Sequence, residues 1–167
     1  MAKGTVKKGM GTMVGNSGEY FVVASLLKRG IVAALAPRNT PDFDILATDG
    51  VRSVYIRVKT KSAPSVVWQW MTKEDGTIYR NINLGSDFVC LVDLKETEDN
   101  PDYYIFPTQE LNDVILDDFQ KWVSKPGKND RPHDPNNRHR SFGNLLHHKE
   151  MLAQAKNKWK ILGFRDQ

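Results

Sequence analysis

PDFDILATDGVRSVYIRVKTKS, residues 41–62, carries two runs of alternating apolar residues on either side of Asp49-Gly50. An Asp-Gly pair flanked in this way is a strong short-range sign of a β-hairpin. Strand side chains alternate faces, so Asp42 and Asp44 share one face of the first strand, while Arg57, Lys59 and Lys61 share one face of the second. The hairpin sets those faces side by side. Charges built into a sheet are costly unless they pair or bind something, so this cluster is the first candidate for chemistry.

Working outward, the spacing upstream predicts a helix over 16–29. Asn16 or Ser17 serves as its cap, Tyr20, Val23, Ala24 and Leu27 fall at helical spacing, and Gly30 stops it. Residues 3–15 are rich in Gly and Lys, and the first few of them are expected to fray. IVAALA, after Gly30, is a short apolar run leading through the loop residues PRNTP into the hairpin. Glu19 lies in the first turn of the helix, where the dipole favours an acid. Downstream, residues 64–85 alternate weakly around Glu74-Asp75-Gly76 and predict a second hairpin, with Trp68 and Trp70 on one face as core or lid. SDFVCLVDLK is apolar nearly throughout and predicts a strand deep in the sheet, with DYYIFPT as its antiparallel partner.

A second helix is predicted from Thr108 to about 123, with Leu111, Val114, Ile115, Phe119 and Trp122 on one stripe. The segment from about 124 holds three prolines and many turn formers and reads as a long basic loop. A last helix over 143–158 and KWKILGF follow. The length of 167 residues suits one domain spanning 1–167 that needs no disulfide. Cys90, the single cysteine, sits inside FVCLVDL and reads as a buried strand residue. Neither a signal peptide nor an apolar run of the roughly 18–20 residues needed for a membrane span is evident, and a cytoplasmic protein with no membrane partner is expected.

Net charge is +4, unevenly placed: residues 121–167 hold 11 Lys and Arg against 4 Asp and Glu. Such a face attracts polyanions. Lys61, Lys125, Lys128, Arg131, Arg138 and Arg140 are the expected nucleic-acid contacts, against the plainer reading of a solvated surface. His133, His139, His147 and His148 lack a cysteine pair or a familiar zinc spacing and read as surface or loop residues.

The order helix, strand meander, helix, with Glu19 in GNSGEYF, Asp44 in PDFDIL and Lys59 in IRVKT, resembles the PD-(D/E)XK nuclease superfamily. The resemblance runs to about residue 123. It implies an α/β fold of the restriction-endonuclease-like type: a mixed sheet with an antiparallel meander after the first helix, flanked by helices. It also implies Mg²⁺ or Mn²⁺ held by Glu19, Asp44 and the Val58 carbonyl, with Asp42 as a further candidate ligand, and Lys59 holding water or steadying developing charge. One position departs. Arg57 stands where the family carries an acid or an amide, and a guanidinium has no lone pair to offer a metal. At 4 Å and an effective dielectric of about 20, two unit charges interact by about 4 kcal/mol, enough to weigh against a divalent ion. Arg57 is then expected either to grip substrate phosphate or to pair with Asp44 in a metal-free relic. The implied function is a metal-dependent endonuclease on nucleic acid, with DNA the expected substrate. The alternative is an inactive module of the same fold that binds nucleic acid or a protein. A homodimer is left open.

Overall fold

The computed structural model describes residues 11–63, 67–74, 76–95 and 100–165. Helix α1 (Gly11–Leu27) comes first, starting five residues before the expected cap. Its buried positions are Gly18, Val22 and Leu26, one every fourth residue, so a single stripe faces the sheet. Gly30, at φ 77°, ends the helix: its N–H donates to Leu27 O at 2.9 Å and that of Ile31 to Leu26 O at 3.1 Å. This is the left-handed closure for which glycine has no steric penalty.

Strands β1 (Val32–Leu35), β2 (Ile45–Thr48) and β3 (Ser53–Lys61) then form the antiparallel meander. The β2–β3 turn is built around Asp49, whose carboxylate accepts the N–H groups of Arg52, Arg165 and Val51 and is held by them at about 2. Gly50 supplies the positive φ the turn requires. Strand β5 (Asp87–Asp93) lies parallel to β3, with Arg57 opposite Val89 and Lys61 opposite Asp93, and β6 (Asp102–Pro107) runs antiparallel to β5. The sheet order is β1-β2-β3-β5-β6. Every residue of β5 is buried, Cys90 included, as its unbroken apolar run predicts.

Two cores flank the sheet. On one face Val22 and Leu26 of α1 meet Ile45, Ile56, Cys90 and Ile105, closed by Trp159, Leu162 and Phe164 near the end of the chain. On the other, Val89, Leu91 and Phe106 meet Leu111 and Ile115 of α2 (Thr108–Val123), Ala155 of α3 (Leu146–Ala155), and Trp68, Trp70 and Phe142.

Among the described residues the expected second hairpin is not formed. Strand β4 (Trp68–Met71) pairs with β7 (His139–Phe142), which arises inside the segment expected to be a long loop, in the register Trp68↔Phe142. Both tryptophans point into the core beneath, which fixes the face of β4 and leaves its edge free for β7. Residues 64–66 and 75 of that expected hairpin lie outside the described residues. Among the described residues no helix is long and apolar enough to cross a membrane.

Candidate active site

Asp44 stands where β2 begins to separate from its neighbour. Its N–H donates to Ile56 O at 3.0 Å, and its carboxylate Oδ2 accepts the Val58 N–H at 2.7 Å. The side chain therefore crosses to β3 between Arg57 and Lys59. Burial raises the Asp44 carboxyl above its ordinary value, against the pull of the Val58 N–H and the charges of Arg57 and Lys59.

Glu19 reaches the same place from α1, and a close approach brings it there. A Cβ on Gly18 would lie 2.0 Å from Thr60 Oγ1, so only glycine lets the helix rest directly on β3. The next residue is Glu19, half-buried, its carboxyl raised by burial and then by the charge of Asp44, with Arg38 opposing. Lys59 is half-buried too. Burial lowers its ammonium, Asp44 opposes that shift, and Nζ stands 5.8 Å from the Trp70 ring centre. Asp44 thus acts electrostatically on both Glu19 and Lys59, and burial shifts each of the three toward its neutral form.

Arg57 is 6 % exposed and neither pairs with Asp44 nor faces open solvent. Its Nε and Nη2 donate to the two oxygens of Asp87 at 3.0 and 2.8 Å, Nη2 also reaches Arg80 O at 3.0 Å, and the guanidinium lies 5.0 Å from the Tyr79 ring centre. Thr108 Oγ1 donates to the same carboxylate. Of the two expectations for Arg57, the ion pair with Asp44 is corrected to one with Asp87. An acid at each end of an otherwise apolar strand was the sequence signal for such partners.

Lys61, expected on phosphate, is buried, paired with Asp93 at 2.9 Å and set 4.6 Å from the Trp68 ring centre. The three cations of β3 thus lie over Tyr79, Trp70 and Trp68 in turn. The outer two are matched by carboxylates of β5, while Lys59, opposite Leu91, has no ion pair among the described residues. A cavity of about 430 Å³ opens here, lined by Asp42, Asp44, Arg57, Val58, Lys59 and Tyr79 among others. Both oxygens of Asp42 accept from Asn81 Nδ2, at 3.2 and 3.1 Å.

Of the expected phosphate contacts in the basic segment, Lys125, Lys128 and Arg131 are exposed. Arg138 is turned back, its Nε and Nη2 donating to Thr72 O at 3.1 and 2.6 Å. Arg140 is buried, 3.2 Å from the Phe119 ring centre, which corrects its placement on an open surface.

The histidines are also not all at the surface. His133 stacks on Trp122, with ring centres 3.8 Å apart, and His148 is 1 % exposed. His147 and His148 both meet Asp118 Oδ2, at 2.9 and 2.6 Å, and the three offer ligand atoms within 4.8 Å of one another. No spacing rule finds this group, because Asp118 comes from α2 and the histidines from α3.

No protein-family model and no curated protein sequence matches the chain. Among solved structures, it is similar to Hjc of Archaeoglobus fulgidus, a Holliday junction resolvase, at 14 % identity and TM-score 0.52, over 92 % of this chain and 98 % of that one. It is also similar to the bacterial homing endonuclease I-Ssp6803I, at 16 % identity and TM-score 0.50, over 91 % of this chain and 93 % of the other. Both neighbours are PD-(D/E)XK nucleases, and the fold of this chain is the restriction-endonuclease-like fold they share.

Proposed function

We propose that the chain is a metal-dependent endonuclease acting on nucleic acid, with DNA the favoured substrate. The observation that carries this reading is the Arg57–Asp87 ion pair. It answers the charge of Arg57 within the protein and leaves the Asp44 carboxylate outside any salt bridge among the described residues. Burial raises the proton affinity of both carboxylates and the charge of Asp44 raises that of Glu19 further, so a cation between them would be favourable.

Mg²⁺ or Mn²⁺ would be held by Glu19, Asp44 and the Val58 carbonyl, which leaves β3 on the same edge as the N–H bound to Asp44. Asp42 is the weaker candidate, because Asn81 already occupies its carboxylate. Such an ion, when bound, polarises a phosphodiester and eases deprotonation of a water. Lys59 is the residue of this chain placed to donate to a phosphoryl oxygen or orient the attacking water, and its lowered ammonium pKa eases proton exchange there. Trp70 and Tyr79 wall the cavity and limit water around the reacting group. Arg57 is assigned the lesser role of holding that wall in place. Lys125, Lys128 and Arg131 would take strand phosphates. A single domain and a cytoplasmic setting belong to the same proposal.

The competing reading is a module of the same fold that binds nucleic acid or protein without cutting. The buried cation at the position of a usual metal ligand favours it. Calorimetric titration with Mn²⁺, paired with cleavage assays on linear duplex, four-way-junction and single-stranded substrates, separates the two. The endonuclease reading expects Mn²⁺ binding that is lost in Asp44→Asn, and cleavage lost in both Asp44→Asn and Lys59→Ala. Folded protein that binds no Mn²⁺ and cuts none of these substrates overturns it.

A further inference from the structure

A second cavity, of about 400 Å³, lies between α2, β7 and the start of α3, and the Asp44 pocket shares none of its lining residues. Its most unusual wall is Arg140. This residue is 7 % exposed, yet no carboxylate lies within ion-pair distance among the described residues. Nη1 donates to the carbonyls of Asn137 and His139 at 2.6 and 2.9 Å, while Nε is buried without a partner. A buried guanidinium without a counter-charge is costly, and the Phe119 ring 3.2 Å away supplies a cation–π contact but no counter-charge. Here burial alone pulls its pKa down, and no neighbouring carboxylate restores it.

The rest of the lining narrows the ligand. Trp122, at 38 % exposed the most accessible tryptophan of the chain, lines the cavity beside Phe119, with the His133 ring stacked on it at 3.8 Å between centres. Asp118 uses Oδ2 for both histidines, which leaves Oδ1 to accept an amino or imino group. A metal is the poorer occupant. His148 Nδ1 accepts the Gly143 N–H at 3.1 Å, so the ring proton sits on Nε2, the atom a metal would need.

We propose that this cavity binds one phosphorylated nucleotide unit, its phosphate on Arg140, its base against Trp122 and a base N–H on Asp118. The volume lies within the usual range of about 300–1,000 Å³ for small-ligand sites. The ligand is either a free nucleoside monophosphate or an unstacked nucleotide of a bound strand. The second source rests on the nucleic-acid reading above, whereas the first does not.

The test is calorimetric titration, without divalent metal, with the four deoxynucleoside monophosphates, the matching nucleosides and inorganic phosphate. Omitting metal keeps the outcome independent of whether the chain cleaves. At least one monophosphate is expected to saturate the protein below ~10 mM, with its nucleoside and inorganic phosphate each bound at least tenfold more weakly. Base stacking is worth roughly 1–3 kcal/mol, about five- to 150-fold, so Trp122→Ala should weaken binding within that range. Arg140→Gln should weaken it tenfold or more. Should that variant fail to fold, movement of the Arg140 Nε–H resonance of the unmodified protein on adding the monophosphate is the expected sign. No saturation by any monophosphate, nucleosides bound as tightly as monophosphates, or an Arg140 resonance that stays put overturns the proposal. Binding of inorganic phosphate as tight as that of nucleotides, with Trp122→Ala unaffected, also overturns it. A short single strand distinguishes the two sources: equal weakening of strand and mononucleotide by Trp122→Ala assigns the unit to the strand, and weakening of the mononucleotide alone assigns it to a free metabolite.

Discussion

Arg57 and Asp87 hold each other through two N–H···O contacts, 3.0 and 2.8 Å, across the parallel β3 and β5 strands, with both side chains almost wholly out of water. This pair accounts for a cation at a position where metal chemistry would disfavour one, because its charge is matched one strand away from the candidate site.

Breaking the pair from one side should be severe. Arg57→Gln leaves Asp87 buried with Thr108 as its remaining side-chain donor among these contacts, and stranding one member of such a pair costs about 3–5 kcal/mol. For a chain of this size that corresponds to a fall in Tm of roughly 6–20 °C. Adding Asp87→Asn should recover part of the loss. Differential scanning calorimetry of the single and double variants checks it, and a single variant as stable as the parent would contradict it.

The carboxylates of the candidate site should behave in the opposite way. Glu19 has its pKa raised in the fold, so its charged form costs stability at neutral pH. That cost fades as pH falls through the raised value toward the ordinary 4.5 and is absent below it. Glu19→Gln should therefore raise Tm at pH 7 in metal-free buffer, with the gain shrinking on acidification. Thermal melts from pH 7 to pH 4 measure it. A gain that grows toward acid would show the sign to be wrong.

The contact between Gly18 and Thr60 offers a cleaner test of what seats α1. Gly18→Ala drives a methyl into Thr60 Oγ1, and such overpacking costs typically about 1–3 kcal/mol. Thr60→Ala removes the obstructing hydroxyl, which is itself buried without a partner, so the double variant should regain most of the loss. Urea denaturation of the four proteins in the cycle reads the coupling directly, and strict additivity would rule out the steric account.

If Lys125, Lys128 and Arg131 lie on phosphates, replacing all three with alanine should flatten the dependence of log K on log[salt] by about 0.9 per lost duplex contact. Fluorescence anisotropy with labelled duplex at several salt concentrations measures the slope. An unchanged slope would mean that this segment is a solvated surface.

The hairpin at residues 41–62, α1 and the β5–β6 pair were legible in the sequence because each rests on local periodicity and nearby turn chemistry. The helix start was missed because Gly11 and Gly15 disfavour a helix by propensity and Asn16 and Ser17 looked like a cap. The β4–β7 pairing was missed for a different reason. Trp68 and Phe142 are joined only through a shared core, and nothing near either strand names its partner. Asp44 and Lys59 could be placed side by side from strand alternation and Glu19 beside them only through the family resemblance, whereas the partners of Arg57 and His148 depended on register between elements distant in the chain. Lys61 and Arg140 show the limit of reading charge as surface: a base facing an acid on the next strand, or an aromatic ring, can be core.

The pairing of β4 with β7 also sets an order of assembly. The strand bearing Trp70, which walls the Asp44 cavity, gains its partner only after residues 139–142 have left the ribosome. A nascent chain stopped before that point holds Asp44, Lys59 and the helix bearing Glu19, yet lacks the strand that holds their wall. Long-range pairing of this kind forms late, because its loop must close before any contact rewards it. Completion of the cavity wall is therefore deferred until residues 139–142 are free to pair with β4.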